Sequence, residues 1–302
     1  MAVDIPLSHL DRPFDYAVTA EQDADAVPGA RVRVRFAGRL RDGFILNRVA
    51  TGDHEGALAP LSKIVSSEPV LTPEISNLIR SVADHYAGTY ADVMRLAVPP
   101  RHAATEVAER RSAGHPLPHD HPAGPLVDYP TGTGFLAALR DGRSPRAMWQ
   151  VTPSTAPSGD WALGLATAAR ACADSERGAV IIVPDQTDLD RLSEACRQVL
   201  GAIGFAVLVA EAGPAARYRA FLSALRGEVR VVIGNRAAAY APVRDLGLVA
   251  LWDDGDDLLA EQRRLLRSGN PALRRRARSP RPPSSPARDL RAESPRSARS
   301  AS

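Results

Sequence analysis

Along the first hundred residues, hydrophobic and polar positions follow the period of extended chain and then switch to the period of helix. Val3 to Leu7 is a short apolar run broken by Pro6 and followed by the turn Asp11-Arg12-Pro13, and Phe14 to Val18 predicts a second extended segment. Arg31-Val32-Arg33-Val34-Arg35-Phe36 alternates strictly, so Val32, Val34 and Phe36 share one face of a strand and three guanidiniums share the other. Ala37-Gly38-Arg39 reads as a turn and Gly43 to Leu46 as the return, which makes 31–48 a hairpin; Lys63-Ile64-Val65 predicts a further strand. Thr72-Pro73-Glu74 opens a helix, with Thr72 as N-cap and Pro73 at the first helical position. Ile75, Leu78, Ile79, Val82 and Tyr86 form its apolar face, and a second helix over 90–96 stops before Pro99-Pro100.

Beyond this the pattern changes twice. Residues 101–127, charged and then rich in Pro, His and Gly, read as a linker. From 128 to 260, helices over 135–139, 160–173, 188–200 and 215–225 alternate with apolar strands at 147–151, 179–184, 206–209, 230–234 and 248–252. Nearly continuous apolar strands between helices predict a parallel sheet covered on both faces. Ligands of such sheets sit past the carboxyl ends of the strands. Residues 261–302 are Arg, Pro, Ser and Ala, too poor in apolar residues to build a core. The chain thus divides into 1–100, 101–127, 128–260 and 261–302.

Composition narrows the function classes. With 302 residues, 44% of them hydrophobic, the chain has material for about two domains, and with 5% aromatics its core must be aliphatic and rich in Ala. No run of eighteen apolar residues predicts a membrane span, and the start shows neither the basic nor the apolar region of a secretory signal. Two cysteines without CxxC spacing fit a reducing, cytoplasmic setting. The net charge of +3 conceals a split: of 38 basic and 35 acidic residues, the stretch 262–302 holds twelve Arg and two acids. That leaves 26 basic against 33 acidic residues over 1–261, so a nucleic-acid site in the body must be local and shaped rather than a matter of bulk charge. Lys63 is the one Lys of the chain: a chance survivor of an Arg-rich composition, or a place that wants an ammonium.

Two blocks carry a family resemblance. Asp4-Ile5-Pro6-Leu7 through Phe14-Asp15-Tyr16, followed by Pro28-Gly29-Ala30 and the 31–36 strand, resembles the N-terminal domain of the bacterial replication restart (PriA, primosomal protein N′) family in its actinobacterial form. The resemblance implies a small β-rich domain that binds the 3′-terminal nucleotide of a nascent strand. The family's pocket residues fall on Phe14, Asp15 and Tyr16, on Gly38 (shifted by one because Ala37 intervenes), and on Lys63 ahead of Ser67-Glu68-Pro69-Val70. The chemistry suits an end. A carboxylate such as Asp15 accepts a hydrogen bond from a 3′-hydroxyl and repels a 3′-phosphate, Phe14 or Tyr16 stacks on any base, Gly38 permits close backbone approach, and Lys63 neutralises a phosphate. Plainer readings stand beside these: Phe14 as core, Asp15 as a turn acceptor, and Arg31, Arg33 and Arg35 as a solvated face rather than a DNA-binding one.

The second block, Val183-Pro184-Asp185, Val232 to Pro242 and Leu248 to Asp257, resembles the first, RecA-like ATPase lobe of a superfamily 2 helicase. The resemblance implies an ATP site that the residues do not supply. A working P-loop needs a Gly-rich amide cradle, a Lys on the phosphates and a Ser or Thr on Mg²⁺. The corresponding stretch, Thr152 to Trp161, has no Lys, loses two N–H donors to Pro153 and Pro157, and places Asp160 beside Ser158 and Gly159. In the family's acidic box Trp252 occupies the place of the Mg²⁺-linked Asp, with Asp253 and Asp254 following. The family's zinc-binding cysteines and second ATPase lobe are missing, and the sequence departs from the family near Gln262, as a shifted reading frame or a genuine tail would make it. His115, His119 and His121 have no Cys partners that would favour zinc over a linker role.

The expectation is a β-rich 3′-end DNA-binding domain followed by a RecA-like parallel α/β lobe, without catalytic residues and without ATP, Mg²⁺ or zinc. Its partners would be forked DNA and single-stranded 3′ ends, with other restart proteins or single-stranded-DNA-binding protein as further candidates. The alternative is a residual ATP-dependent 3′-to-5′ helicase.

Overall fold

The computed structural model of the chain describes residues 1–50, 56–110, 124–152, 160–256 and 259. Two four-stranded sheets organise it. The first is antiparallel, in the order β1 (Ala2–Val3), β3 (Arg39–Phe44), β2 (Arg31–Phe36), β4 (Lys63–Ser66). The hairpin closes through Ala37 and Gly38, both at positive φ (45° and 76°), the two-residue turn whose twist matches its strands. Val32 and Val34 point into a core with Ile5, Ala26, Ile45 and Leu61, as the alternation requires. Phe14 to Val18 forms no ladder; a single parallel bridge joins Ala17 to Pro60.

Helix α1 (Pro73–His85) starts where its cap predicts, with the Thr72 hydroxyl accepting from the Ile75 amide at 3.3 Å, and α2 (Tyr90–Ala97) follows. The second sheet is parallel, in the order β6 (Phe205–Leu208), β7 (Val231–Gly234), β5 (Gly178–Ile182), β8 (Leu246–Leu251). Alternate β5 residues face opposite cores: Ala179 and Ile181 meet α5 (Trp161–Asp174) and α6 (Gln186–Leu200), whereas Val180 and Ile182 meet α7 (Pro214–Leu225). Two further helices among the described residues are α3 (Ala103–Val107) and α4 (Gly132–Arg140). No helix among the described residues is long and apolar enough to cross a membrane.

One expectation needs correction. The apolar segment 147–151 joins no ladder. The Thr152 amide donates to the Tyr129 hydroxyl at 3.1 Å instead, and the Trp149 ring lies against Gly164 of α5, where a Cβ would come within 2.2 Å of it. The first hundred residues share a core with the parallel half: Ile75, Ile79, Val93 and Met94 pack in one cluster with Tyr218, Phe221, Val180 and Val232. Within the segment 101–127, residues 103–107 are helical and Glu106 is tied into the junction. Glu106 accepts from Ser66 (2.7 Å), Arg101 (2.9 Å) and Tyr218 (2.6 Å), while Arg226 clasps Glu68 at 3.0 and 3.1 Å. Residues 111–123, with His115, His119 and His121, and residues 260–302 lie outside the described residues.

Candidate nucleic-acid interface

The three guanidiniums of β2 have three different fates. Arg31 turns inward: its Nη2 donates to the Pro99 carbonyl at 2.9 Å and its guanidinium lies 4.7 Å from the centre of the Phe44 ring. Burial pushes its pKa down, which suits a tie between the sheet and the 98–100 segment better than a DNA contact. Arg33 is exposed, but its Nε donates to Asp42 at 2.8 Å across the hairpin, and that hydrogen bond pushes it up. Arg35, also exposed, donates to the Gly38 carbonyl at 3.3 Å.

Phe14, Tyr16, Arg35 and Gly38 meet at the hairpin tip. The Phe14 ring stands edge-on to Phe36 with centroids 4.9 Å apart, and the Arg12 guanidinium lies 5.5 Å from its centre. Tyr16 donates its hydroxyl to the Arg35 carbonyl at 3.3 Å, and burial pushes its pKa up. Asp15, between Phe14 and Tyr16 in sequence, is exposed. It lies near the amino terminus, where burial pushes the Met1 amine down and the Asp15 charge opposes that shift. A Cβ on Gly38 would meet nothing within 4 Å, so a ligand has room to reach the backbone there.

Lys63 stands one step along the sheet. It lies opposite Arg33 in the β2–β4 ladder, and Arg33 lies opposite Asp42 in β2–β3, so all three side chains belong to the face away from Val32 and Val34. Lys63 is exposed and makes no ion pair among the described residues. The interface therefore has two parts, aromatic rings at the tip and a basic face beside it that one carboxylate partly neutralises. Asp42 was missed as a partner of Arg33, although the two-residue turn dictates the pairing once Phe36 is set opposite Arg39.

The expected nucleotide position in the parallel half is differently furnished. Ser158 and Gly159 lie outside the described residues. Asp160 caps α5 by accepting from the Leu163 amide at 3.2 Å, and the Arg191 guanidinium is 3.5 Å away. Trp161 and Trp252 stack with ring centres 4.2 Å apart and planes 7° from parallel. Trp161 is 5% exposed and belongs to the core under α5. Asp253, at φ 48°, and the exposed Asp254 follow the second ring. Burial, with the charges of Asp185 and Asp253, pushes Asp188 up, against the pull of Arg191 and a hydrogen bond from Trp252. No three metal-binding side chains cluster among the described residues. The stack escaped the sequence reading because 90 residues separate the rings; only the strand and helix register brings them together.

Comparison with known proteins agrees with the first block. Residues 1–99 match the family model of the PriA 3′ DNA-binding domain (3′BD). Over 261 residues the chain is 49% identical to the probable replication restart protein PriA of Mycobacterium tuberculosis (strain CDC 1551 / Oshkosh), covering 86% of this chain and 39% of the relative. The protein of the same name from Mycobacterium leprae (strain TN) is 47% identical over 263 residues, 86% of this chain and 40% of the relative. The chain thus spans about two fifths of the length of the curated relatives it matches.

Proposed function

We propose, on the premise that this chain is a relative of the replication restart protein PriA carrying its 3′ DNA-binding domain, that it recognises 3′-hydroxyl ends of DNA at stalled forks and serves replication restart without unwinding DNA itself. The observation that carries the reading is the tip of the β2–β3 hairpin, where Tyr16 bonds to the Arg35 carbonyl and Phe14 packs on Phe36 with open space at Gly38, while Asp15, between the two aromatic residues in sequence, is exposed. Asp15 would accept the terminal hydroxyl, Tyr16 and Phe14 would flank the base, and Lys63 would meet the backbone phosphate.

The parallel half is a RecA-like lobe that acts as scaffold and docking surface in this reading, with other restart proteins or single-stranded-DNA-binding protein as its partners. Two features support a role without ATP. Asp160 takes one of the free amides at the α5 N-terminus, and its charge there would repel a phosphate, while the Trp161–Trp252 stack lies just past the end of β8.

The test is binding of fluorescent oligonucleotides that differ only in a 3′-hydroxyl or a 3′-phosphate. The wild-type chain should prefer the hydroxyl, and Asp15→Ala should abolish the preference. Equal binding of both ends by the wild type refutes the pocket. DNA-stimulated ATP hydrolysis that disappears in an Asp253→Ala/Asp254→Ala variant would instead establish the helicase alternative.

A further inference from the structure

A cavity of about 320 Å³, lined by Arg12 and Pro13 just ahead of Phe14 in the chain, opens between the antiparallel sheet and α1. Its floor is apolar, with Ile45 and Leu71, and proline rings wall it. Asn47 and Asn77 stand on its rim, both exposed, and neither amide side chain makes a hydrogen bond among the described residues. Arg80 forms another wall. Its Nη1 donates to Asp11 and its Nη2 lies on Asp84, each at 2.8 Å, which leaves Nε buried with no partner. A buried donor without an acceptor is a cost that a native site usually recovers from water or a ligand.

We infer that this cavity takes a nucleobase of the bound strand, one upstream of the terminal nucleotide. The inference rests on the 3′-end reading given above. Three properties select the ligand. Apolar floor and proline walls suit a flat ring. Two free amides, each both donor and acceptor, suit the edge of a base, which presents both as well. The guanidinium charge of Arg80 is more than offset by the carboxylates of Asp11 and Asp84, so the wall offers a single N–H to a neutral acceptor such as a base carbonyl and no positive charge to an anion. An acidic peptide would meet those two carboxylates. Position supplies the link to DNA: Arg12 and Pro13 line the cavity, and the Arg12 guanidinium packs on the ring of Phe14, so one short segment separates the two places.

The experiment measures binding of the full chain to single-stranded oligonucleotides with an abasic residue at the second, third or fourth position from the 3′ end, each with a 3′-hydroxyl or a 3′-phosphate. In the wild type, one of the three abasic substitutions should weaken binding about tenfold, the size of one lost base contact. In an Asn47→Ala/Asn77→Ala variant, whose exposed substitutions spare the core, that penalty should shrink to less than twofold while preference for the hydroxyl persists. A penalty that is absent at all three positions, or unchanged in the variant, overturns the cavity assignment and leaves the 3′-end reading standing. A penalty that responds to the variant without any preference for the hydroxyl does the reverse, keeping the cavity as a base site and removing the end pocket.

Discussion

Replacing Arg226 by Ala tests whether the two halves stand as one body. Arg226 is 8% exposed at its side chain and its partner Glu68 is 14% exposed, with both guanidinium contacts at 3.0 and 3.1 Å. The same guanidinium donates to the Glu106 carbonyl at 2.9 Å. Glu68 has a second cation, Arg110, but at 3.3 Å and 66% exposed it is a weak substitute. Truncating Arg226 leaves a nearly buried carboxylate with that partner alone, so the cost approaches the value for an orphaned buried charge, about 3–5 kcal/mol. At this chain size that corresponds to a fall in Tm of roughly 6–20 °C. Urea unfolding followed by tryptophan fluorescence and by far-ultraviolet circular dichroism measures it. The paired replacement Arg226→Met/Glu68→Leu removes both charges and should recover most of the loss, because well-packed apolar side chains replace such pairs at little cost. A loss below about 1 kcal/mol for Arg226→Ala, the range of surface pairs, would refute the claim that this contact fastens the junction.

Further outcomes follow from single contacts. Asp42→Asn releases Arg33 and removes the one acid opposite it on the basic face, so affinity for single-stranded DNA should rise several-fold and the salt dependence steepen; unchanged affinity would mean that this face does not meet DNA. Lys63→Ala should reduce the log–log salt slope by about 0.7, the share of one phosphate on a single strand, as titration with NaCl would read. Burial pushes Glu106 up, but hydrogen bonds from Arg101, Tyr218 and Ser66 outweigh it and hold the carboxyl below its ordinary value. Its stabilising contribution is therefore complete above the unfolded carboxyl's pKa of about 4.3 and is lost as pH falls through the lower folded value; Glu106→Gln should flatten the acid limb of a stability-versus-pH curve. Cys196, whose thiol burial pushes up to about 12, should resist Ellman's reagent in the folded chain and react only on unfolding.

What could be read from the residues alone was whatever local chemistry decides. The strict alternation of 31–36 has one buried solution, and Thr72-Pro73 has one helical phase; both appear as expected. The apolar runs at 179–184 and 230–234 lie within the parallel sheet for the same reason, since strands buried on both faces need apolar residues at every position. The run at 147–151 looked equivalent, yet a strand is completed by its ladder, and Thr152 and Trp149 bond and pack elsewhere. Arg31, Arg33 and Arg35 were alike in the pattern and differ in the fold. Pro99, Asp42 and Gly38 separate them: the hairpin register brings in Asp42 and Gly38, whereas Pro99, 68 residues from Arg31, lies too far off for any local pattern to show. Glu106 sat in a segment whose composition announced a linker, and only the arrival of Tyr218 and Arg101 around it gives it a place.

The shared core bears on what the parallel sheet would contribute to the proposed 3′-end reading. Met94 is 3% exposed and Ile79 fully buried, and the apolar side chains across from them include Tyr218 and Phe221 of α7 and alternate residues of β5 and β7. Each side chain of that size contributes about 1.5–3 kcal/mol when removed from water. Without the parallel half, these faces of α1 and α2 would be left in solvent. Helix α1 also forms one side of the cavity next to the hairpin and, through Arg80, holds Asp11, the residue ahead of Arg12. A chain of packed contacts thus runs from β5 through α7 and α1 to the segment that presents Phe14, Asp15 and Tyr16. Under the proposed 3′-end reading, the sheet would serve by fixing the position of the tip, a task that needs buried surface, and the tryptophan stack past the end of β8 adds to that surface.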